Sequence, residues 1–166
     1  MTVDSFRFLP RSIAGYYQNM TVQREDPVPF TSLVKPLDQC RFALVTTAGI
    51  HDEGREPPFD TEREKREPMW GDPSFRRITR NVSQEDIGAC HLHTNNRDVL
   101  LDMNIVLPVQ RFLELESEGV IGSLAPTNYS FMGYQPDTAA WRQQYGPEAA
   151  TLMKEEAVDA VLLTPS

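Results

Sequence analysis

The sequence predicts an α/β domain of three layers around a largely parallel sheet, and three observations carry that prediction. Two runs, residues 41–50 (RFALVTTAGI) and 157–164 (AVDAVLLT), are nearly continuous in apolar and β-branched residues, as strands covered on both faces are. Segments with helical apolar spacing, residues 108–118 and 136–156, lie between them. A chain of 166 residues is the size of one domain, and strand–helix alternation within it favours parallel pairing.

The elements follow in chain order. Phe6, Leu9, Ile13, Tyr16 and Tyr17 are mostly three or four apart, which predicts a helix over 5–20 with Pro10 near its start or at a kink. Residues 24–36 (REDPVPFTSLVKP) hold three prolines and read as an extended connector. The chain therefore divides into an N-terminal helix plus connector over 1–40 and the α/β domain over 41–166. From 52 to 67, eleven of sixteen residues are charged, with prolines at 57, 58 and 68. Composition makes 52–68 a solvated, mobile loop, and a lid over a site is the functional alternative. Residues 69–73 (MWGDP) signal a turn. Residues 87–93 and the NIVL at 104–107 read as strands. Pro108 suits a helix's first turn, Val109, Phe112, Leu113 and Leu115 form its stripe, and Gly119 is its expected stop. Residues 120–124 read as a strand and the following APTNYSFMGYQP as a loop. Gly146-Pro147 is expected to split the 136–156 helix into two pieces.

Composition removes several function classes. Sixteen basic residues against twenty-four acidic ones give a net charge of −8, which argues against nucleic acid or anionic lipid as partner. No apolar run is long enough to span a membrane, and the N-terminus has early charges where a secretory signal has its apolar stretch. Two cysteines, Cys40 and Cys90, are too few for a disulfide scaffold and read as buried small hydrophobes; the expected location is cytoplasmic.

All three histidines sit at expected strand ends. His51 follows the first strand, while His91 and His93, two apart, share a face if the segment is extended. Imidazoles so placed suit proton transfer or substrate binding, and three of them suit an open zinc site. Sheet histidines held by hydrogen bonds are the bland alternative. Thr47, Ser123, Asn128 and Ser130 supply small polar groups for the same mouth. Neither GxGxxG nor GxxxxGK[ST] occurs, so dinucleotide and P-loop binding are unsupported, and no GxSxG elbow is present. The last run stops at Ser166 without a following loop or covering helix, so the domain is expected to be incomplete at its C-terminal end.

Longer strings say more than spacing. LVTTAGIH (44–51), WGDPSFRRI (70–78), HLHTNNRDVLLDMNIVLP (91–108), EGVIGSLAPTNYSFMGY (118–134) and DAVLLTP (159–165) resemble the glycine/sarcosine/betaine/D-proline reductase selenoprotein B family. FLPRSIAGYYQ (8–18) and the segment 29–49 fit as well, so the resemblance runs along nearly the whole chain.

The resemblance implies reductive cleavage of a small amine or amino-acid-like substrate. A selenolate or thiolate displaces the amino group, a thiol donor of the thioredoxin type supplies electrons, and in the glycine and D-proline systems a pyruvoyl group on a partner subunit activates the substrate. In the family the selenocysteine or cysteine directly follows the strand that DAVLLTPS matches, so it is expected beyond Ser166. The chain is then the substrate-binding N-terminal part of a reductase, inactive by itself, either truncated where an in-frame UGA was read as a stop or, in the alternative, the product of a gene that ends there, a substrate-binding half or decayed remnant. No cofactor is expected within it. His51, His91 and His93 map onto the family's own strings and are carried as active-site candidates. A non-catalytic subunit that assembles with a separate redox protein, or forms a homo-oligomer, through its uncovered last strand is the rival reading. A zinc enzyme built on the three histidines is a weaker one.

Overall fold

The computed structural model describes residues 4–19, 27–28 and 30–166, which fall into two units, Met1–Ser32 and Leu33–Ser166. In the first, a 3-10 turn over Ser5–Phe8 precedes helix α1 (Arg11–Asn19), and Pro10 lies just ahead of the helix, where its missing N–H costs nothing. The connector expected over 24–36 falls partly outside the described residues, at 24–26 and 29.

The second unit is the α/β domain. Strand β1 (Arg41–Thr46) is central. It pairs in parallel with β5 (Ser123–Leu124) near its start and β6 (Thr127–Phe131) near its end, and with β7 (Ala160–Thr164) along its other side. Strand β3 (Phe75–Thr79) adds antiparallel to β6, so the sheet is mixed but mostly parallel. A separate antiparallel pair joins β2 (Ile50–Asp52) to β4 (Ile87–Ala89).

The run over 41–50 is therefore two strands. Gly49 sits at φ +63°, which only glycine adopts cheaply, and the chain turns there out of the main sheet into β2.

Each face of the sheet carries its own core, which makes the three layers. On one face Leu44, Ile50, Ile78, Leu107, Val109 and Leu124 pack with α3 (Asn96–Leu101) and α4 (Val109–Ser117). On the other, Tyr129, Phe131 and Val45 meet α5 (Gly146–Glu155) through Ala149, Leu152 and Met153. Gly119 ends the α4 turn at φ +69°, as its position predicts.

Several local expectations are corrected. Residues 104–107 are not a strand: the Asp102 side chain caps the Asn104 N–H and winds Met103–Ile105 into a 3-10 turn. The segment read as a loop after Leu124 contains β6, because its polar side chains satisfy sheet donors: Asn128 accepts from the Leu44 N–H and Ser130 from the Ile50 N–H. Gly146-Pro147 does not split its helix. A π turn over Trp141–Tyr145, with the Gly146 N–H reaching the Trp141 carbonyl, absorbs the proline without a break. The expected strand over 87–93 stops at Ala89, and His91 and His93 lie in the turns beyond it. Finally, the charged stretch 52–68 holds helix α2 (Thr61–Arg66), with Phe59 and Glu64 both buried.

Among the described residues, no helix is long and apolar enough to cross a membrane.

Candidate functional site

The C-terminal ends of β1 and β7 lie side by side and define one edge of the sheet. The Thr46 hydroxyl donates to the Thr164 carbonyl at 3.1 Å, and the Thr47 Oγ1 accepts from the Ser166 N–H at 2.8 Å. Gly133, just past β6, closes this corner. A Cβ built on Gly133 would lie 2.9 Å from the Ser166 carbonyl oxygen, 2.9 Å from that of Thr47, and 3.0 Å from His91 Nε2. Three segments thus converge on a point that only a glycine leaves open.

His91 is the side chain best placed there. Its Nδ1 accepts a 3.1 Å hydrogen bond from the His93 N–H, so in the neutral ring the proton sits on Nε2. That Nε2 is buried and has no hydrogen-bond partner among the described residues. Burial, and then the neighbouring His93, lower the His91 pKa below its ordinary 6.5. At neutral pH the group is therefore an uncharged donor facing the strand mouth. Asn96, at the start of α3, donates to the His91 carbonyl at 3.0 Å and fixes the backbone.

His93 is half-exposed and lies beside it, the two ring centroids 5.9 Å apart. Its ring packs on Tyr134 at 4.4 Å, and its Nε2 lies 3.2 Å from the Glu64 carboxylate. Burial raises the Glu64 pKa, against the pull of His93. Glu64 reaches His93 because the segment 52–68 is pinned. Arg76 on β3 donates to the carbonyls of Pro57 and Pro58, pairs with Asp72 at 3.2 Å, and stacks on Phe59 at 4.1 Å. Asp72 also accepts from the Asp60 and Ser74 N–H groups. Burial pushes its carboxyl upward, but the Ser74 hydroxyl, those N–H groups and Arg76 outweigh it and hold it below the usual range.

The other sequence-derived candidates separate. His51 lies on β2, packed over Gly88, with Nδ1 3.6 Å from the Cys90 thiol. Burial pushes the Cys90 thiol up and the His51 imidazole down, so the pair is a neutral thiol and imidazole rather than an activated thiolate. Asn128 and Ser130 are buried, and their side-chain oxygens accept the backbone bonds described above, while Asn128 Nδ2 has no hydrogen-bond partner among the described residues. Ser123 lies at the opposite end of β1, paired with Arg41. Thr47 alone of these polar groups stands at the mouth with His91. The three-histidine zinc set does not assemble: His51 is anchored in the β2–β4 pair, and no group of three His, Cys, Asp or Glu side chains able to hold a metal occurs among the described residues.

Sequence reasoning missed Glu64, Asp72, Arg76, Tyr134 and Gly133. Phe59, a lone aromatic inside the charged run, is the signal that the segment is anchored.

A family model described as glycine/sarcosine/betaine reductase selenoprotein B matches residues 12–166. The chain belongs to that family. It is 37% identical over 152 residues to D-proline reductase subunit gamma of Acetoanaerobium sticklandii, covering 92% of this chain and 59% of that protein. It is 32% identical over 139 residues to glycine reductase complex component B subunit gamma of Symbiobacterium thermophilum, and 27% identical over 140 residues to sarcosine reductase complex component B subunit beta of Peptoclostridium acidaminophilum. Those two matches cover 84% of this chain and 31% of each relative. No solved structure matches. This selenoprotein B family member thus spans about three fifths of the length of the D-proline relative and about a third of the other two.

Proposed function

We propose that the chain forms the substrate-binding part of a selenol- or thiol-dependent reductase subunit that cleaves a C–N bond in a small amine or amino-acid-like substrate. The observation that carries this reading is the buried, unpartnered Nε2–H of His91 at the corner where Thr47, Gly133 and Ser166 meet. On this reading the selenocysteine or cysteine nucleophile works from that corner. Its chemistry is displacement at the α-carbon: a carbon–chalcogen bond forms as the C–N bond breaks, and the amine leaves with the electron pair. A thiol donor of the thioredoxin type returns the two electrons.

This chain's own residues bind and orient. The neutral His91 donates from Nε2 to the substrate, and a fixed donor in a site shielded from water is stronger than one in bulk solvent. Thr47 Oγ1, held by the Ser166 backbone, aligns the strand end against it. The Gly133 hydrogen leaves the room that any side chain would take. The relatives' names, which describe reductase subunits, support the reaction class.

The test begins with the DNA after the Ser166 codon. The chain read through that codon is expressed in a selenium-competent host and assayed for substrate-dependent oxidation of a dithiol donor with glycine, sarcosine and D-proline, whose cleavage products are ammonia, methylamine and a ring-opened amino acid respectively. Turnover that falls about 100-fold in His91→Gln is expected, the size of losing one site donor. No in-frame selenocysteine or cysteine near the junction, or full turnover in His91→Gln, would overturn the reading.

A second reading has its own observation. Strand β7 lies at the sheet edge among the described strands, with Val161 and Leu163 exposed, beside a largely apolar cleft of about 440 Å³ lined by Val45, Phe131, Trp141 and Leu163. Such an edge suits assembly with another subunit. A dispersed monomer by light scattering would count against it.

A further inference from the structure

Glu64 is one of two acidic side chains of the charged stretch that are driven inside. Six other acidic residues lie between 52 and 67. Of these only Asp52 is also buried, and it has Arg55 beside it at 3.6 Å. Glu64 is 3% exposed, and the group it faces is the half-exposed His93 imidazole, its Nε2 at 3.2 Å. Neither of its oxygens makes a further hydrogen bond among the described residues. A carboxylate held in that state is costly unless its partner is well placed, and α2 would be more stable with an apolar residue of similar size.

The surrounding geometry gives the carboxylate a use. His93 contacts both Glu64 and the Tyr134 ring, which is itself tethered by its hydroxyl to the Pro68 carbonyl. The backbone N–H of this same His93 holds His91 Nδ1. Holding the His93 ring through both contacts fixes the peptide that selects the His91 tautomer.

We propose that Glu64 is a positioning residue: its carboxylate accepts from His93 Nε2, locks the 91–93 turn, and so keeps His91 with its proton on Nε2, facing the strand mouth. This rests on the reading of His91 as the donor there. Asp72 is the other acidic group near Glu64, and it is already neutralised by Arg76. Arg76 and Asp72 deliver α2; Glu64 uses that delivery.

The experiment is nitrogen-15 NMR of the histidine rings in the 166-residue chain, which reads the tautomer without any catalysis. The wild type should show His91 as a single species, with Nδ1 unprotonated and Nε2 protonated. Glu64→Met fills the same space but accepts nothing, and should lose that signature to a mixture of both tautomers. Glu64→Gln retains an acceptor and should restore it. An unchanged His91 signature in Glu64→Met overturns the proposal, and so does a Glu64→Gln spectrum as disturbed as that of Glu64→Met. Should Glu64→Met fail to fold, His93→Ala cuts the same link from its half-exposed side, and an unaltered His91 signature there is equally fatal. The two readings fail separately. A scrambled tautomer with undiminished turnover in the read-through protein sinks the role of His91 and leaves the positioning intact.

Discussion

The two ends of the parallel sheet are built from similar residues and left in opposite states. At the N-terminal end the polar groups described are closely paired. Arg41 donates to the Glu156 carbonyl and to Ser123, its N–H reaches Asp159, and Asp159 in turn holds Lys35 at 2.6 Å. Glu116 accepts from both Arg80 and the Leu124 N–H, and Glu156 accepts from Thr127. At the C-terminal end, Thr47 and Ser166 bond each other while the buried Nε2 of His91 has no hydrogen bond among the described residues. A buried donor without an acceptor costs about 1–3 kcal/mol, so a fold keeps one only against some gain. The paired groups close the domain at one end; at the other, the unpartnered His91 donor is where a ligand's acceptor is worth most.

Four changes test that contrast, taken from the largest expected effect. Arg76→Ala removes the cation that pins residues 57–60 and strands the buried Asp72 carboxylate. It should cost about 3–5 kcal/mol in urea unfolding and release α2 from its contact with His93. A loss under about 1 kcal/mol would mean that the C-terminal end needs no such scaffold. Gly133→Ala places a methyl group within 3.0 Å of His91 Nε2 and of two carbonyl oxygens. The expected destabilisation is about 1–3 kcal/mol, with a shifted His91 resonance. A crystal structure showing His91 unmoved in this variant would remove the corner from the argument.

Acid titration should then separate the two ends. His91 and His51 are held below 6.5 chiefly by burial, so the unfolded chain binds protons that the folded chain refuses. Their contribution to stability is complete above about pH 6.5 and falls as the pH drops through that value. Glu64, raised by burial, acts in the opposite sense and partly offsets the loss. Asp159 and Glu116 are held below their ordinary 3.8 and 4.5. Lys35 and the Arg41 N–H lower Asp159; for Glu116 burial pushes upward, but the Leu124 N–H and Arg80 outweigh it. Their contribution persists to about pH 4 and is lost only below that. Unfolding midpoints measured from pH 7.5 to 3 should therefore show two limbs, and His51→Gln with His91→Gln should flatten the upper one. An unaltered upper limb in that double variant would place the sensitivity elsewhere.

The smallest effect is expected from Ser123→Ala, about 1 kcal/mol or less, with substrate-dependent dithiol oxidation by the read-through protein unchanged. A large drop in turnover would show that the N-terminal end of the sheet is not merely structural.

The string 41–50 determined by itself that an apolar, mostly parallel sheet would form, because a strand covered on both faces must be apolar throughout; the equally apolar 157–164 pairs with it as β7, yet there Val161 and Leu163 stay exposed. Pro108 and Gly119 bounded α4 for reasons local to the backbone, and the collinear strings named the family. The site was less legible. Asn128 and Ser130 look like binding groups in sequence, yet they saturate backbone donors of neighbouring strands, and that exchange exists only once the sheet has paired. Ser123 and Thr47 are both hydroxyls beside a strand, and only the register Arg41↔Ser123 puts them at opposite ends of β1. Glu64 sits in a run whose charge predicts solvent; Arg76 on β3, Asp72 and Phe59 draw it inward. Periodicity describes what a residue's own segment prefers, whereas burial of a charge and the tautomer of a histidine depend on groups that arrive from elsewhere in the chain. That is why the fold class was written in the sequence and the state of His91 was decided by the tertiary structure.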